Sequence, residues 1–142
     1  MVKILFVCHG NICRSPMAEF VLKDMVKKAG VADRFQIESV AVSREELGNP
    51  VYPPARRELA AHGIRCDGHR ARQITQADVN RYDHIYYMDS SNARYLSRMF
   101  PGETKFKQFL PRNVADPWYT GDFTQTWADI EEGCSRILEE LL

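Results

Sequence analysis

The period of the apolar positions changes several times along the chain, and each change marks an element. Ile4-Leu5-Phe6-Val7 is an unbroken apolar run, the pattern of a strand covered on both faces. From Pro16 the spacing becomes helical, with Met17, Phe20, Val21, Met25 and Val26 on one face until Gly30. Ser15 suits the N-cap of this helix and Pro16 its first position, where a missing N–H costs no bond. Phe35–Val42 reads as a second strand. A helix then runs from Pro54 through ARRELAAH and stops at Gly63. Thr75–Tyr82 reads as a short helix, His84–Met88 as a third strand, Ser90–Phe100 as a helix ended by Pro101-Gly102, and Phe106–Leu110 as a fourth strand. A loop holding Asp116-Pro117-Trp118-Tyr119 follows. The last helix sets Phe123, Trp127, Ile130, Ile137, Leu138 and Leu141 along one face as core anchors.

Strands that alternate with helices imply right-handed crossovers and a parallel sheet. The expected fold is α/β: one domain over residues 1–142, a three-layer sandwich with a central four-stranded parallel sheet flanked by helices on both faces. Ligands in such folds bind beyond the carboxyl ends of the strands, where the strand order reverses. The stretch VCHGNICRSP, directly after the first strand, falls there.

Composition narrows the function classes. The 142 residues carry 19 basic and 19 acidic side chains, so the net charge is +0 and no nucleic-acid or membrane partner is expected. No apolar run approaches the length of a membrane span, and the N-terminus lacks the features of a signal peptide. Four cysteines stand at 8, 13, 66 and 134 without a CxxC pair, and no histidine has zinc-ligand spacing to two of them. A reducing cytoplasmic setting, a monomer, and neither metal nor cofactor are expected. Cys66, Cys134, His62 and His84 read as ordinary packing or surface residues, and Tyr82, Tyr86 and Tyr87 as strand and core residues.

The loop itself is chemically suggestive. A turn entering a helix N-terminus aims backbone N–H groups at one point, and the helix dipole adds positive potential. Such a cradle, His9 through Ser15, holds a tetrahedral oxyanion, and the Arg14 fork matches two of its oxygens. The same field favours the thiolate of Cys8, and a thiolate beneath a bound phosphoryl group can attack phosphorus. Gly10 and Asn11 tolerate the left-handed backbone that such a loop requires.

VCHGNICRSP resembles the signature loop of the low-molecular-weight protein tyrosine phosphatases, and the resemblance continues through SVAVSREELGNP, HRARQIT, MDSSN and ADPWY. It implies hydrolysis of phosphotyrosine in protein substrates through a cysteinyl-phosphate intermediate, without a metal. Carried onto this chain, it makes Cys8 the nucleophile, Arg14 the phosphate clamp and Asp116 the general acid and base. His9, Gly10, Asn11, Ile12, Cys13, Arg14 and Ser15 would form the phosphate-binding loop. Ser15 would bond the thiolate, Asn11, Ser39 and His69 would support the loop, and Cys13 would be a redox partner of Cys8. Trp118 and Tyr119 would line the mouth, with Glu45 at a rim position where the family usually carries an aromatic residue. That departure implies a thinner wall and repulsion of acidic residues flanking the phosphotyrosine. Val40 stands where a smaller residue is common.

Two related chemistries compete. Thiol-dependent arsenate reductases share the fold but resolve the attacking thiol with a cysteine pair after the third strand, where this chain reads MDSSNARYL. Phosphoarginine phosphatases carry threonine at the position of Ile12. A phosphopeptide-binding module would lack the nucleophile or the acid. The residues favour phosphotyrosine hydrolysis.

Overall fold

The computed structural model describes residues 1–142. Strand β1 (Val2–Cys8) leads into α1 (Arg14–Lys28), a single 3-10 turn (Ala32–Arg34), β2 (Phe35–Ala41), α2 (Pro53–Ala61) and α3 (Gln76–Arg81). Then follow β3 (His84–Tyr87), α4 (Ser90–Met99), β4 (Phe106–Gln108), α5 (Pro117–Thr120) and α6 (Phe123–Leu141). All strands are parallel, in the order β2-β1-β3-β4. The chain leaves β1 toward β2 on one side and returns to β3 on the other, so the loop after β1 occupies the switch point. No helix is long and apolar enough to cross a membrane.

Successive side chains of a strand point to opposite faces, so β1 feeds two cores. Ile4, Phe6 and Cys8 face the layer of α1, α2 and α6, where Met17, Leu22, Leu59, Ile130 and Ile137 meet them. Leu5 and Val7 face Val79 of α3 and Leu96 of α4, together with Val40 and Ile85 from the neighbouring strands. Full burial of each large apolar side chain stabilises by about 1.5–3 kcal/mol. The strand that ends in Cys8 is thereby anchored in the best-packed part of the molecule. The expected three-layer sandwich is the observed architecture.

Several boundaries differ from the sequence reading. Helix α1 starts at Arg14 with Cys13 in the N-cap position, and no side chain caps it. Ser15 is not the cap, because its hydroxyl is buried among Cys8, Asn11 and Val40. Pro16 still lies in the first turn, where its missing N–H does no harm. Helix α2 begins at Pro53, and β4 ends at Gln108, since the chain turns there to carry Phe109 and Leu110 into the core. The loop at 116–121 contains the one-turn helix α5, capped by Asp116 and ended by Gly121 at φ 70°. His62 is more than a surface residue: its ring lies parallel to Trp127 at 3.6 Å, joining α2 to α6. Trp127, Phe123, Leu138 and Leu141 are partly buried at the edge of the core rather than enclosed within it.

Helix α6 crosses the sheet so closely that Gly133 has no room for a side chain. A Cβ there would sit 2.2 Å from Phe109 Cζ, and the Phe109 ring already meets Phe6 edge-on at 5.7 Å. Gly133→Ala is expected to destabilise the fold by about 1–3 kcal/mol through overpacking, outweighing the ~1 kcal/mol that alanine gains in helix propensity. Urea denaturation checks this as a lowered midpoint at unchanged slope. An equal or higher midpoint would mean that Phe109 yields without cost.

Candidate active site

The loop from His9 to Cys13 is held open by one side chain. Asn11 adopts φ 61°, the left-handed conformation tolerated by asparagine, and is fully buried. Its Nδ2 donates to Ser15 Oγ at 2.8 Å and to Ser39 Oγ at 2.9 Å, while Oδ1 accepts the Arg72 N–H at 3.2 Å. Its carbonyl accepts from His69 Nε2 at 2.8 Å. Ser39 and His69 therefore bond Asn11 from two sides. With the turn fixed in this way, no backbone N–H from His9 to Arg14 donates to a protein atom. These donors and the N-terminus of α1 form an anion cradle.

Cys8 closes the floor of the cradle at the end of β1. Its Sγ lies 3.0 Å from Ser15 Oγ and accepts the Ser15 N–H at 3.4 Å. Ser39 donates to Glu19 Oε1 at 2.6 Å, which leaves its lone pairs for Asn11. Asn11 in turn occupies a lone pair of Ser15, whose one hydroxyl proton is left two acceptors, Cys8 Sγ at 3.0 Å and the Val40 carbonyl at 3.3 Å. The hydrogen-bond directions are thus fixed from buried Glu19 as far as the Ser15 oxygen. Glu19 was not picked out from the sequence. The available signal was its place four residues after Ser15, on the same buried face of α1.

Arg14 is only 2% exposed. Its Nη1 donates to Asp89 Oδ2 at 2.6 Å and to the Val114 carbonyl at 2.8 Å, and Nη2 reaches Asp116 Oδ2 at 3.3 Å. Burial disfavours its charge, but Cys8, Asp116 and Asp89 outweigh that cost and hold its pKa above the ordinary arginine value. Asp116 caps α5 through Oδ1 and the Trp118 N–H at 3.0 Å, so α5 aims the carboxyl over the cradle. Asp89, a second residue missed from sequence, caps α4 and fixes the guanidinium. Cys13 packs with Ile12 and Ala71, and burial, aided by the charges of Cys8 and Asp116, pushes its thiol well up. It remains a neutral thiol in the loop that follows Cys8.

One pocket of about 560 Å³ contains Cys8, Arg14 and Asp116 at its base. Gly10, Ile12 and Cys13 line its wall, and Trp118, Tyr119, His9 and Glu45 its mouth. Glu46, also missed, lies over Gly10, where an added Cβ would meet its Cγ at 3.3 Å. Tyr52 extends the aromatic side, its ring 4.9 Å from that of Trp118. Glu45 is at the rim but does not stand alone: His9 Nε2 donates to its Oε2 at 2.9 Å, and Tyr95 meets the His9 ring at 5.5 Å. A hydrogen-bonded His9–Glu45 pair backed by an aromatic edge stands at this position, where an aromatic residue was expected to be missing.

Residues 3–142 match the family profile described as low molecular weight phosphotyrosine protein phosphatase. The chain is 46% identical to the rat (Rattus norvegicus) low molecular weight phosphotyrosine protein phosphatase, with 96% of this chain and 94% of that protein covered. The crystal structure of YfkJ from Bacillus subtilis superimposes with a TM-score of 0.95 at 35% identity, covering 99% of this chain and 94% of the other. A low molecular weight protein tyrosine phosphatase from Streptococcus pyogenes gives a TM-score of 0.93 at 41% identity, covering 100% and 94%.

Because Asn11 joins four separate segments, Asn11→Ala is expected to leave the Ser15 and Ser39 hydroxyls and the Arg72 N–H without their partner. The fold should lose about 2–4 kcal/mol, and inorganic phosphate should bind more weakly as the cradle loses its shape. Thermal unfolding and phosphate titration check both effects. A stable variant with unchanged phosphate affinity would refute the assignment of Asn11 as the organiser of the loop.

Proposed function

The chain belongs to the low molecular weight phosphotyrosine protein phosphatase family, and we propose a division of its catalytic work among the residues described above. The enzyme is a protein-tyrosine phosphatase that works through a cysteinyl-phosphate intermediate. The observation supporting the residue assignment is the set of N–H groups from His9 to Arg14 left without a protein acceptor in the loop that joins Cys8 to Ser15, whose own N–H donates to Cys8 Sγ. In this reading they and Arg14 bind three phosphoryl oxygens and stabilise the charge that spreads over them in the transition state.

Cys8 Sγ attacks phosphorus as a thiolate, and the bond from phosphorus to the phenolic oxygen breaks. Asp116 gives its proton to that oxygen, so that tyrosine leaves neutral. Water then attacks the cysteinyl phosphate and gives a proton to Asp116. The S–P bond breaks, and the Ser15 hydroxyl and N–H receive the returning negative charge on sulfur. Before substrate enters, Arg14 Nη2 donates to Asp116 Oδ2 at 3.3 Å. A bound phosphate dianion competes with that carboxyl for the guanidinium. Cys13, held neutral, does not compete with Cys8 for phosphorus. In the same reading it traps a Cys8 sulfenic acid, forming a disulfide with loss of water.

Depth and wall chemistry select the side chain. Cys8 is 3% exposed, so the phosphate must be carried on a long arm, and a phenyl ring fits between Trp118 and the His9 side of the mouth. Arsenate reduction lacks its resolving cysteines: Cys134 is enclosed between α1 and α6, its Sγ 3.5 Å from the Ala18 carbonyl. Phosphotyrosine, phosphoserine and phosphoarginine peptides assayed side by side, with arsenate reduction as control, should show turnover of the first alone. Preferential turnover of phosphoarginine would overturn the substrate assignment.

Two variants test the roles. Cys8→Ser should abolish turnover yet still bind vanadate or phosphate, because the N–H cradle and Arg14 remain. Residual steady-state turnover would refute the covalent route. Asp116→Asn should slow phosphotyrosine hydrolysis by ~10²–10⁴-fold, and slow aryl phosphates with acidic leaving groups far less. Equal losses across a leaving-group series would remove Asp116 as the acid.

A further inference from the structure

Beside the mouth of the active site lies a second concavity, and the two share Ile12 and Glu46 as a common wall. The floor of this groove is apolar and stiff, built from Pro50, Val51 and Pro53, while Arg56 and Arg57 stand at its far side on the first turns of α2. Tyr52 forms the ridge between the two spaces: its ring meets Trp118 at the mouth, and its N–H donates to the Ile12 carbonyl at 2.8 Å. The groove is therefore tied to the phosphate-binding loop and does not drift independently of it.

The charges along this route are unequally satisfied. Glu45 accepts from His9, and Glu46 accepts from Asn49 Nδ2 at 2.5 Å. Arg57 is exposed and makes no ion pair or side-chain hydrogen bond, while Arg56 has only a 3.7 Å contact to Asp67 across open solvent. Glu46 keeps its negative charge, because its partner Asn49 is neutral, and beyond it the outer side of the groove carries the positive charge of Arg56 and Arg57.

We propose that this groove is a subsite for the peptide that carries the phosphotyrosine, and that Arg56 and Arg57 select substrates with an acidic side chain a few residues from it. The inference rests on the phosphotyrosine phosphatase reading. With the phenyl ring between the mouth walls, the chain on one side runs over Tyr52 and the Pro50–Pro53 floor. Prolines donate no backbone N–H there, so the floor supplies apolar contact and the arginines supply the selection. A guanidinium also offers a fork that fits a carboxylate, which a lysine would not. Exposed pairs are individually weak, so the preference is a matter of several-fold and is screened by salt.

The test compares kcat/KM for two phosphotyrosine peptides, one with glutamates and one with lysines on both flanks, and for a small aryl phosphate that does not reach the groove. At low ionic strength the acidic peptide should be favoured by about five- to tenfold, carried mostly by KM, with the ratio shrinking toward one in 0.5 M salt. Arg56→Glu/Arg57→Glu should invert the ratio between the peptides, and Arg57→Gln should reduce it. The aryl phosphate shows whether each variant is folded. Equal kcat/KM for the two wild-type peptides, or a ratio unmoved by the charge reversal, would overturn the subsite. Failure of the wild type on the aryl phosphate would instead overturn the phosphatase reading on which the subsite depends.

Discussion

Six consecutive backbone N–H groups, from His9 to Arg14, have no protein acceptor, and the rest of the molecule is arranged to make that tolerable. Parallel donors repel one another, and left to itself such a loop would collapse into ordinary turn or helix bonding. Three things prevent this. The strand before it is locked into two cores through Ile4 to Val7. The helix after it carries no side-chain cap that would consume its first donors. Between them, Asn11 takes a conformation costly for most residues and offsets that cost with hydrogen bonds to Ser15, Ser39 and Arg72.

The same constraint explains the acids beneath and beside the loop. A positive cradle with a buried guanidinium needs negative charge nearby, but not within the space where phosphate binds. Asp89 supplies it from behind, holding Arg14 Nη1 and leaving other donors of the guanidinium available. Glu19 does the equivalent at the back of the loop by fixing which way Ser39, Asn11 and Ser15 point. Cys8 and Asp116 face the pocket, with Glu45 and Glu46 farther out along it. Asp89 and Glu19, which orient other side chains, are not among the residues that line it.

Legibility in the sequence followed the same division. Cys8, Arg14, Ser15 and the cradle could be read from one short stretch because their chemistry is local to it. Ser39 and His69 came only from family resemblance, since nothing in their own neighbourhoods distinguishes a loop support from an ordinary polar residue. Glu19, Asp89, Tyr52 and Tyr95 were missed because their partners lie in other elements, and only the sheet order brings them together. The helix-cap reading of Ser15 failed for an instructive reason. Its residue type and position were correct for a cap, but the nucleophile had a stronger claim on its hydroxyl. Glu45 shows the converse: read alone it looks like a missing wall, but His9, in a different loop, completes it.

The mouth has a looser logic than the base of the pocket, and this follows from solvent. Inside, each donor direction is determined because an unpaired buried group costs about 1–3 kcal/mol. Outside, Tyr119 is 83% exposed and Trp118 53%, so rim contacts are weak one by one and can change without disturbing the chemistry. A hydrogen-bonded pair such as His9–Glu45 can stand where an apolar wall would otherwise be, because both partners still reach water. In the proposed reading, substrate choice is set where the loop meets solvent, by Tyr52, Trp118, His9 and the charges around them, and the geometry that breaks the phosphate ester is set beneath it. The two are joined at Ile12, whose side chain lines the pocket and whose carbonyl holds Tyr52 in place.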